Sequence, residues 1–206
     1  GAEQAQHFAM VFEVARSAGF MDESVNAIHV PFGLVLGTDG KKLASRTGGA
    51  VQLKDLLVEA VERADSLIAE KNPELPADER AEVAHMLGIG SVKYADLSTD
   101  RTNNYTFDWE KMLSFEGNTA PYLQYAHARI CSIFSKAEIE RDSIQNASIS
   151  LDDEREATLA RAIIAFPQAL DLACATHSPH KLATQLHAIA QAFASFYESC
   201  PVLASE

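Results

Sequence analysis

Phe107-Asp-Trp-Glu-Lys-Met-Leu-Ser-Phe-Glu-Gly-Asn-Thr-Ala-Pro-Tyr-Leu-Gln-Tyr-Ala-His-Ala-Arg129-Ile130 holds two helical patterns with a break between them. Phe107 to Phe115 reads as a short helical turn. Gly117-Asn118-Thr119 then leads into a helix carrying Leu123, Ala126, Ile130, Ile133 and Phe134 at spacings of three and four. The same period extends upstream. Leu53, Leu56, Leu57, Ala60, Val61, Ala64, Leu67 and Ile68 form one apolar face, with charge opposite and a stop before Pro73. A second helix is expected from Asp78 to about Leu97, although Gly88 and Gly90 weaken it. Downstream, the polar stretch Ile139 to Ser150 reads as a linker, and Ser150 with Asp153 resembles a capping box. Pro167 kinks or ends the following helix. Ser178-Pro179 reads as an N-cap and first turn, ahead of a stripe of Leu182, Leu186, Ile189, Ala190, Phe193, Phe196 and Tyr197.

The front of the chain differs. Gln4 to Ala18 reads as a helix with Phe8, Val11, Phe12 and Ala15 on one face, closed by Gly19. His29 to Leu36 is the one β-like stretch, and because Pro31 cannot donate to a ladder the strand is expected to begin near Phe32. Gly37-Thr38-Asp39-Gly40 forms a turn into a loop with Lys41, Lys42, Ser45 and Arg46 among glycines. Cationic tips, hydroxyls and backbone donors of this kind suit a phosphate clamp, and they equally suit a solvated hairpin loop. The spacing of a Walker loop is absent.

Composition narrows the classes. The 206 residues are 47% hydrophobic and 22% charged, enough for a packed core and unlike a disordered tail. A net charge of −12 and a pI near 5.0 argue against a protein that coats nucleic acid, DNA included, through a uniformly basic surface. No run approaches the roughly 20 apolar residues that span a bilayer, so no membrane partner is expected. Cys131, Cys174 and Cys200 form neither a CxxC zinc site nor an even disulfide set, which points to a cytoplasmic setting with each cysteine buried or half-buried. The seven histidines form no ligand cluster, so no protein-bound metal is expected. Asp100 to Tyr105 is a loop of hydrogen-bonding tips with one aromatic. Asn118, Tyr122, Gln124, Tyr125 and Arg129 gather near a helix start, where such side chains stack on unpaired bases or hold phosphates, or simply pack as core.

Together these residues resemble the arginyl-tRNA synthetase family of class I synthetases. The stretch from Phe107 to Ile130 resembles the entry to the family's anticodon-binding helical domain. Val92-Lys-Tyr-Ala-Asp-Leu-Ser98 is similar to its linking helix, and Gln4-Ala-Gln-His7-Phe8 and His29-Val-Pro-Phe-Gly-Leu-Val-Leu-Gly37 are similar to the end of its catalytic domain. The resemblance implies a mainly α fold: a helical bundle of the anticodon-binding type preceded by a small α/β remnant of a Rossmann-like catalytic domain. The expected segments are 1–49 with a KMSKS-like loop, 50–116 as linking helices that contact the tRNA stem, and 117–206 as an incomplete bundle.

It further implies that Lys41 to Arg46 take the place of the KMSKS loop, with Lys42, Ser45 and Arg46 acting on the ATP phosphates. Ala44 and Ser45 stand where that consensus has Ser-Lys, so the match is partial. Val35, Gly37, Lys41 and Lys42 would lie along ATP and Gln4 near the arginine substrate. Arg101, Asn103, Asn104, Tyr105 and Gln124 would face tRNA. The implied function is that of arginine–tRNA ligase, joining L-arginine to tRNA(Arg) with ATP and its accompanying Mg2+ through arginyl-adenylate, as a monomer. No HIGH motif appears, so the chain is expected to be a piece of a longer protein, inactive alone. Two other readings stand beside this one: a stand-alone helical RNA-binding module without catalysis, and a helical scaffold for protein partners.

Overall fold

The computed structural model describes residues 1–41 and 52–203. These fall into two compact units. One takes in the described residues of Gly1–Val51 together with Thr99–Asp108, and the other those of Gln52–Ser98 and Trp109–Glu206. The compact units thus run differently from the segments 1–49, 50–116 and 117–206, because the chain returns to the first unit at 99–108 before continuing.

In the first unit a 3-10 turn, Ala2–Gln4, opens α1 (Ala5–Ser17), which ends ahead of Gly19 at φ 75°. Phe8, Phe12 and Ala15 are half-buried on its inner face, whereas Val11 is exposed. Strand β1 (Val35–Leu36) pairs in parallel with β2 (Tyr105–Thr106), Val35 opposite Tyr105 and Leu36 opposite Thr106. The strand expected from Phe32 therefore begins three residues later. Before Val35 the backbone bonds to a loop and a side chain instead of a ladder: the Gly33 amide donates to Arg101 O at 2.6 Å and the Leu34 amide to Asn104 Oδ1 at 2.7 Å.

The second unit is helical. Helix α2 (Leu53–Lys71) and α3 (Ala77–Ser98) form a hairpin closed by a short connection. Ala64, Ile68, Ala84, Leu87 and, from beyond α4 (Trp109–Met112), Leu113 make its buried cluster. The hairpin is tight because its seam is built from small residues. Ala60 and Ala64 are fully buried, and a Cβ on Gly88 would lie 2.7 Å from the carbonyl carbon and oxygen of Ala60. Gly88 does not weaken α3, which runs unbroken; it permits the approach. An Asp65–Arg80 ion pair at 2.8 Å staples the far end.

Helix α5 (Ala120–Ala137) is capped by Thr119, whose Oγ1 accepts from the Tyr122 amide at 3.3 Å and donates to Ser114 O at 2.6 Å. After a 3-10 turn at Arg141–Ile144 come α6 (Glu154–Ile164), α7 (Phe166–Thr176) and α8 (Pro179–Ser199). Pro167 lies in the first turn of α7, so the break it causes falls at Ala165. Two capping expectations are corrected. The box is Asp153 with Glu156, because Glu156 reaches back to the Asp153 amide at 2.9 Å while Asp153 accepts from Arg155 N at 2.8 Å. Ser178 precedes α8 but makes no side-chain cap; its Oγ donates to Thr176 O at 2.9 Å.

The absence of a membrane-length run is also corrected in part. Within Glu154–Thr176 an apolar window reaches a mean hydropathy of 1.3. The break at Ala165 divides it into two helices of 11 residues, each about 16 Å long against a hydrocarbon core of about 30 Å.

Replacing Gly88 by Ala forces a methyl group into the Ala60 backbone and is expected to lower the unfolding free energy by about 2–3 kcal/mol, the scale of overpacking. A Cβ on Gly90 would come close to the end of the Gln124 side chain, with Nε2 at 2.8 Å, and meets Ala120 Cβ at an ordinary 3.9 Å. Gly90→Ala should therefore stay within about 1 kcal/mol of wild type, helped by alanine's helix propensity. Urea unfolding of the two variants side by side tests this; equal midpoints would show that the seam does not limit packing.

Candidate functional site

In the first unit the sequence-derived residues converge on β1 and the turn that follows it. Val35 is half-buried on β1, its partner Tyr105 half-buried on β2. The Gly37 amide donates to Lys41 O at 2.8 Å and Gly40 N to Gly37 O at 2.9 Å, so the expected turn is present. Asp39 Oδ1 accepts from Lys41 N at 3.0 Å, an Asx-type closure, and Gly40 supplies the φ of 73° the turn needs. Lys41 leaves this turn exposed to solvent. Lys42, Ser45 and Arg46 lie outside the described residues. Gln4 sits at the start of α1, exposed, with Oε1 accepting from the amino terminus of Gly1 at 2.9 Å.

The loop 99–104 proves to be the clamp on the segment that enters this turn. Arg101 Nη1 donates to Pro31 O at 2.9 Å, and Asn104 holds the Leu34 amide. Gly33 packs so closely on the Asn103 carbonyl that any Cβ there would overlap it. Arg101 and Asn104 thus have partners inside the chain. Asn103 is exposed.

In the second unit Gln124 is also engaged internally. It reaches from α5 to α3, donating from Nε2 to Met86 O at 3.2 Å, and its Oε1 is buried without a hydrogen-bond partner. Two other side chains of the same helix stand together, Arg129 half-buried and Tyr125 exposed. The Arg129 guanidinium lies between two rings, 4.7 Å from the Tyr125 centroid and 4.9 Å from that of Tyr197 on α8. Tyr125 is 48% exposed. A flat cation flanked by aromatic faces offers stacking surface and positive charge together. Arg129 and Tyr125 were visible in the sequence as neighbours at four residues, but Tyr197 was hidden in an apolar stripe 68 residues away.

Elsewhere in this unit the charge is mainly negative: an open cavity of about 790 Å³ is lined by Glu59, Glu62, Glu70, Glu110 and Glu116 together with Arg63, Lys71 and Trp109. Arg63 there is already stacked on Trp109 at 5.2 Å and paired with Glu59 at 2.7 Å. Tyr122 packs on His187 with ring centroids 5.5 Å apart. The Tyr94 hydroxyl, its pKa raised by burial, donates to Asn118 Oδ1 at 2.6 Å and lies 3.1 Å from Ala183 O. The cysteines are free; Cys131 and Cys200 are half-buried, while Cys174 is exposed, contrary to expectation.

Comparison with known proteins bears on both units. Residues 1–109 match the family of class I tRNA synthetases (R), catalytic domain, and residues 123–206 match the DALR anticodon binding domain. The chain belongs to the arginyl-tRNA synthetase family. It is 47% identical over 203 residues to an arginine–tRNA ligase of Salmonella paratyphi A, and 48% identical over the same length to that of Escherichia coli O1:K1. Each alignment covers 98% of this chain and 35% of the relative, so the chain spans about a third of the length of these ligases. Among solved structures, an arginyl-tRNA synthetase from Plasmodium falciparum superposes with a TM-score of 0.79 at 30% identity, covering 98% of this chain and 34% of the other. The Thermus thermophilus arginyl-tRNA synthetase gives 0.71 at 32% identity, covering 86% and 30%. The mainly helical fold implied by the arginyl-tRNA synthetase resemblance is therefore the observed one.

Burial around His187 also sets a pH dependence. It disfavours the imidazolium and lowers the pKa from 6.5. As pH falls through 6.5, the unfolded chain takes up a proton that the folded chain does not. Stability is therefore lost from there down to the lower folded pKa, and levels off below it. His187→Gln is expected to flatten the fall in thermal midpoint between pH 7 and pH 5; an unchanged slope would assign the effect to other groups.

Proposed function

We propose that this chain serves arginine–tRNA ligation, in which L-arginine is joined to tRNA(Arg) with ATP by way of arginyl-adenylate. The observation that carries the reading is the order of the two family matches, a class I catalytic domain over residues 1–109 followed by a DALR domain over residues 123–206. That order favours a ligase over a stand-alone RNA-binding module or a protein scaffold.

The division of labour follows from the chemistry of each unit. On this reading Val35 and Gly37 pass the adenine side of ATP, and Lys41, Lys42, Ser45 and Arg46 lie along its phosphates, with Mg2+ carried on the phosphates themselves. Cationic groups at that point lower the charge that builds between β- and α-phosphates as the carboxylate of arginine attacks, a positioning and electrostatic role without a covalent protein intermediate. Gln4 lies toward the arginine. On the tRNA side, Asn103 and Tyr105 remain candidates beside Arg101 and Asn104. Tyr125 and Arg129 present the stacking face that Gln124, held against α3, does not. A net charge of −12 is compatible with this: the cationic groups are local, and like charge elsewhere opposes unproductive binding. A cytoplasmic setting accords with three cysteines that form no disulfide.

Filter binding of labelled tRNA(Arg) to this chain, across a salt series, checks the RNA half. Retention is expected to fall linearly on a log–log scale, and Arg129→Ala should weaken it with a slope smaller by about one. Equal retention of tRNA(Arg) and an unrelated tRNA, or none at low salt, would refute it.

A further inference from the structure

The run of bonds between residues 31–36 and 101–107 makes a continuous splint. Pro31 O, Gly33 N, Leu34 N, Leu34 O and Leu36 O each have a partner on the returning segment: Arg101 Nη1, Arg101 O, Asn104 Oδ1, Tyr105 N and Phe107 N respectively, all between 2.6 and 3.1 Å. Every partner is backbone except two, Arg101 and Asn104. Asn104 occupies the central position, immediately before the ladder begins at Val35. Because Leu34 offers an N–H, the atom of Asn104 that meets it must be the amide oxygen. One residue beyond the splint, Gly37 closes on Lys41.

We infer that Asn104 is a positioning residue: by accepting from the Leu34 amide it fixes the register of β1, and through it the Gly37–Lys41 turn that lies along the nucleotide phosphates. The inference rests on the ligase reading for the nucleotide, and on the coordinates alone for the turn. It assigns to Asn104 a role distinct from RNA contact. An acceptor is what the geometry requires, so a carboxylate of the same shape serves equally, and with a stronger bond. An RNA-facing asparagine, by contrast, tolerates a new negative charge badly. Asparagine-to-aspartate therefore separates the two roles, where alanine alone would not. Gly33 belongs to the same device, since only a residue without Cβ lets this segment lie against the Asn103 carbonyl.

The test uses this chain as wild type, Asn104→Ala and Asn104→Asp, each first checked for its helical circular dichroism. Amide hydrogen exchange is read at Leu34, Gly37 and Gly40, and ATP and inorganic triphosphate are titrated in turn. In Asn104→Ala, exchange should quicken about tenfold at all three amides and triphosphate affinity should drop by a similar factor, the scale of one lost hydrogen bond. Asn104→Asp should restore both. Faster exchange at Leu34 with Gly37 and Gly40 unchanged would overturn the inference, as would failure of aspartate to restore them. Loss of tRNA(Arg) retention in Asn104→Asp, with exchange unchanged in both variants, would overturn it in favour of an RNA contact. A wild type that binds neither ATP nor triphosphate, yet shows the exchange pattern, would support the positioning of the turn and overturn its link to phosphate binding by this chain.

Discussion

The helical unit depends on how closely two backbones can approach. At the α2–α3 seam, Ala60, Ala64, Ala84 and Gly88 leave no side-chain bulk between the helices, so the aliphatic groups of Ile68 and Leu87 close over the sides. The interior is thus assembled from many short contacts rather than a few large residues, and dispersion in such a seam falls steeply with separation. Other helices then take α3 as their reference. Helix α5 ties to it through Gln124 and Met86 O, and Tyr94 on α3 reaches both Asn118 and the Ala183 carbonyl of α8. Gln185 of α8 in turn donates to Ala162 O of α6 at 2.6 Å. A shift at the seam would be felt at each of these polar ties.

Much of this was legible in the residues. The periodic apolar faces placed α2, α5 and α8 to within a few positions, Pro167 marked a helix break and Pro179 a helix start, because periodicity and proline act locally. What eluded the reading was set by distant partners. Gly88 looks like a weakness until the Ala60 backbone is placed against it. Gln124 looks like a solvent-facing reader until Met86 O is found beside it. Asn104 and Arg101 have no apolar role, which suggested ligand contact, and nothing in the sequence signals the bonds they also make to residues 70 positions earlier. Stacking around Arg129 was half visible, since Tyr125 is one helical turn away and Tyr197 is not. The three loop residues Lys42, Ser45 and Arg46 keep the standing that the sequence resemblance gives them.

The unit around β1 is organised differently from the bundle. Its strands are two residues long, and a two-stranded ribbon alone is marginal in water. Large apolar groups there are open to solvent, Phe20 at 89% and Phe32 at 60% exposed. Among the described residues the bonds from 101–107 are what hold the 31–36 segment in register.

That interleaving of the chain has a practical consequence for anyone dividing it. A cut between 49 and 50, where composition changes and a domain border would be drawn, parts β1 from the only strand that pairs with it among the described residues. The amino-terminal product would carry an open strand edge and its exposed phenylalanines, a template for self-association. The carboxy-terminal product would retain an orphaned loop at 99–108. Any dissection meant to leave both halves soluble has to transplant that loop, not merely choose a border.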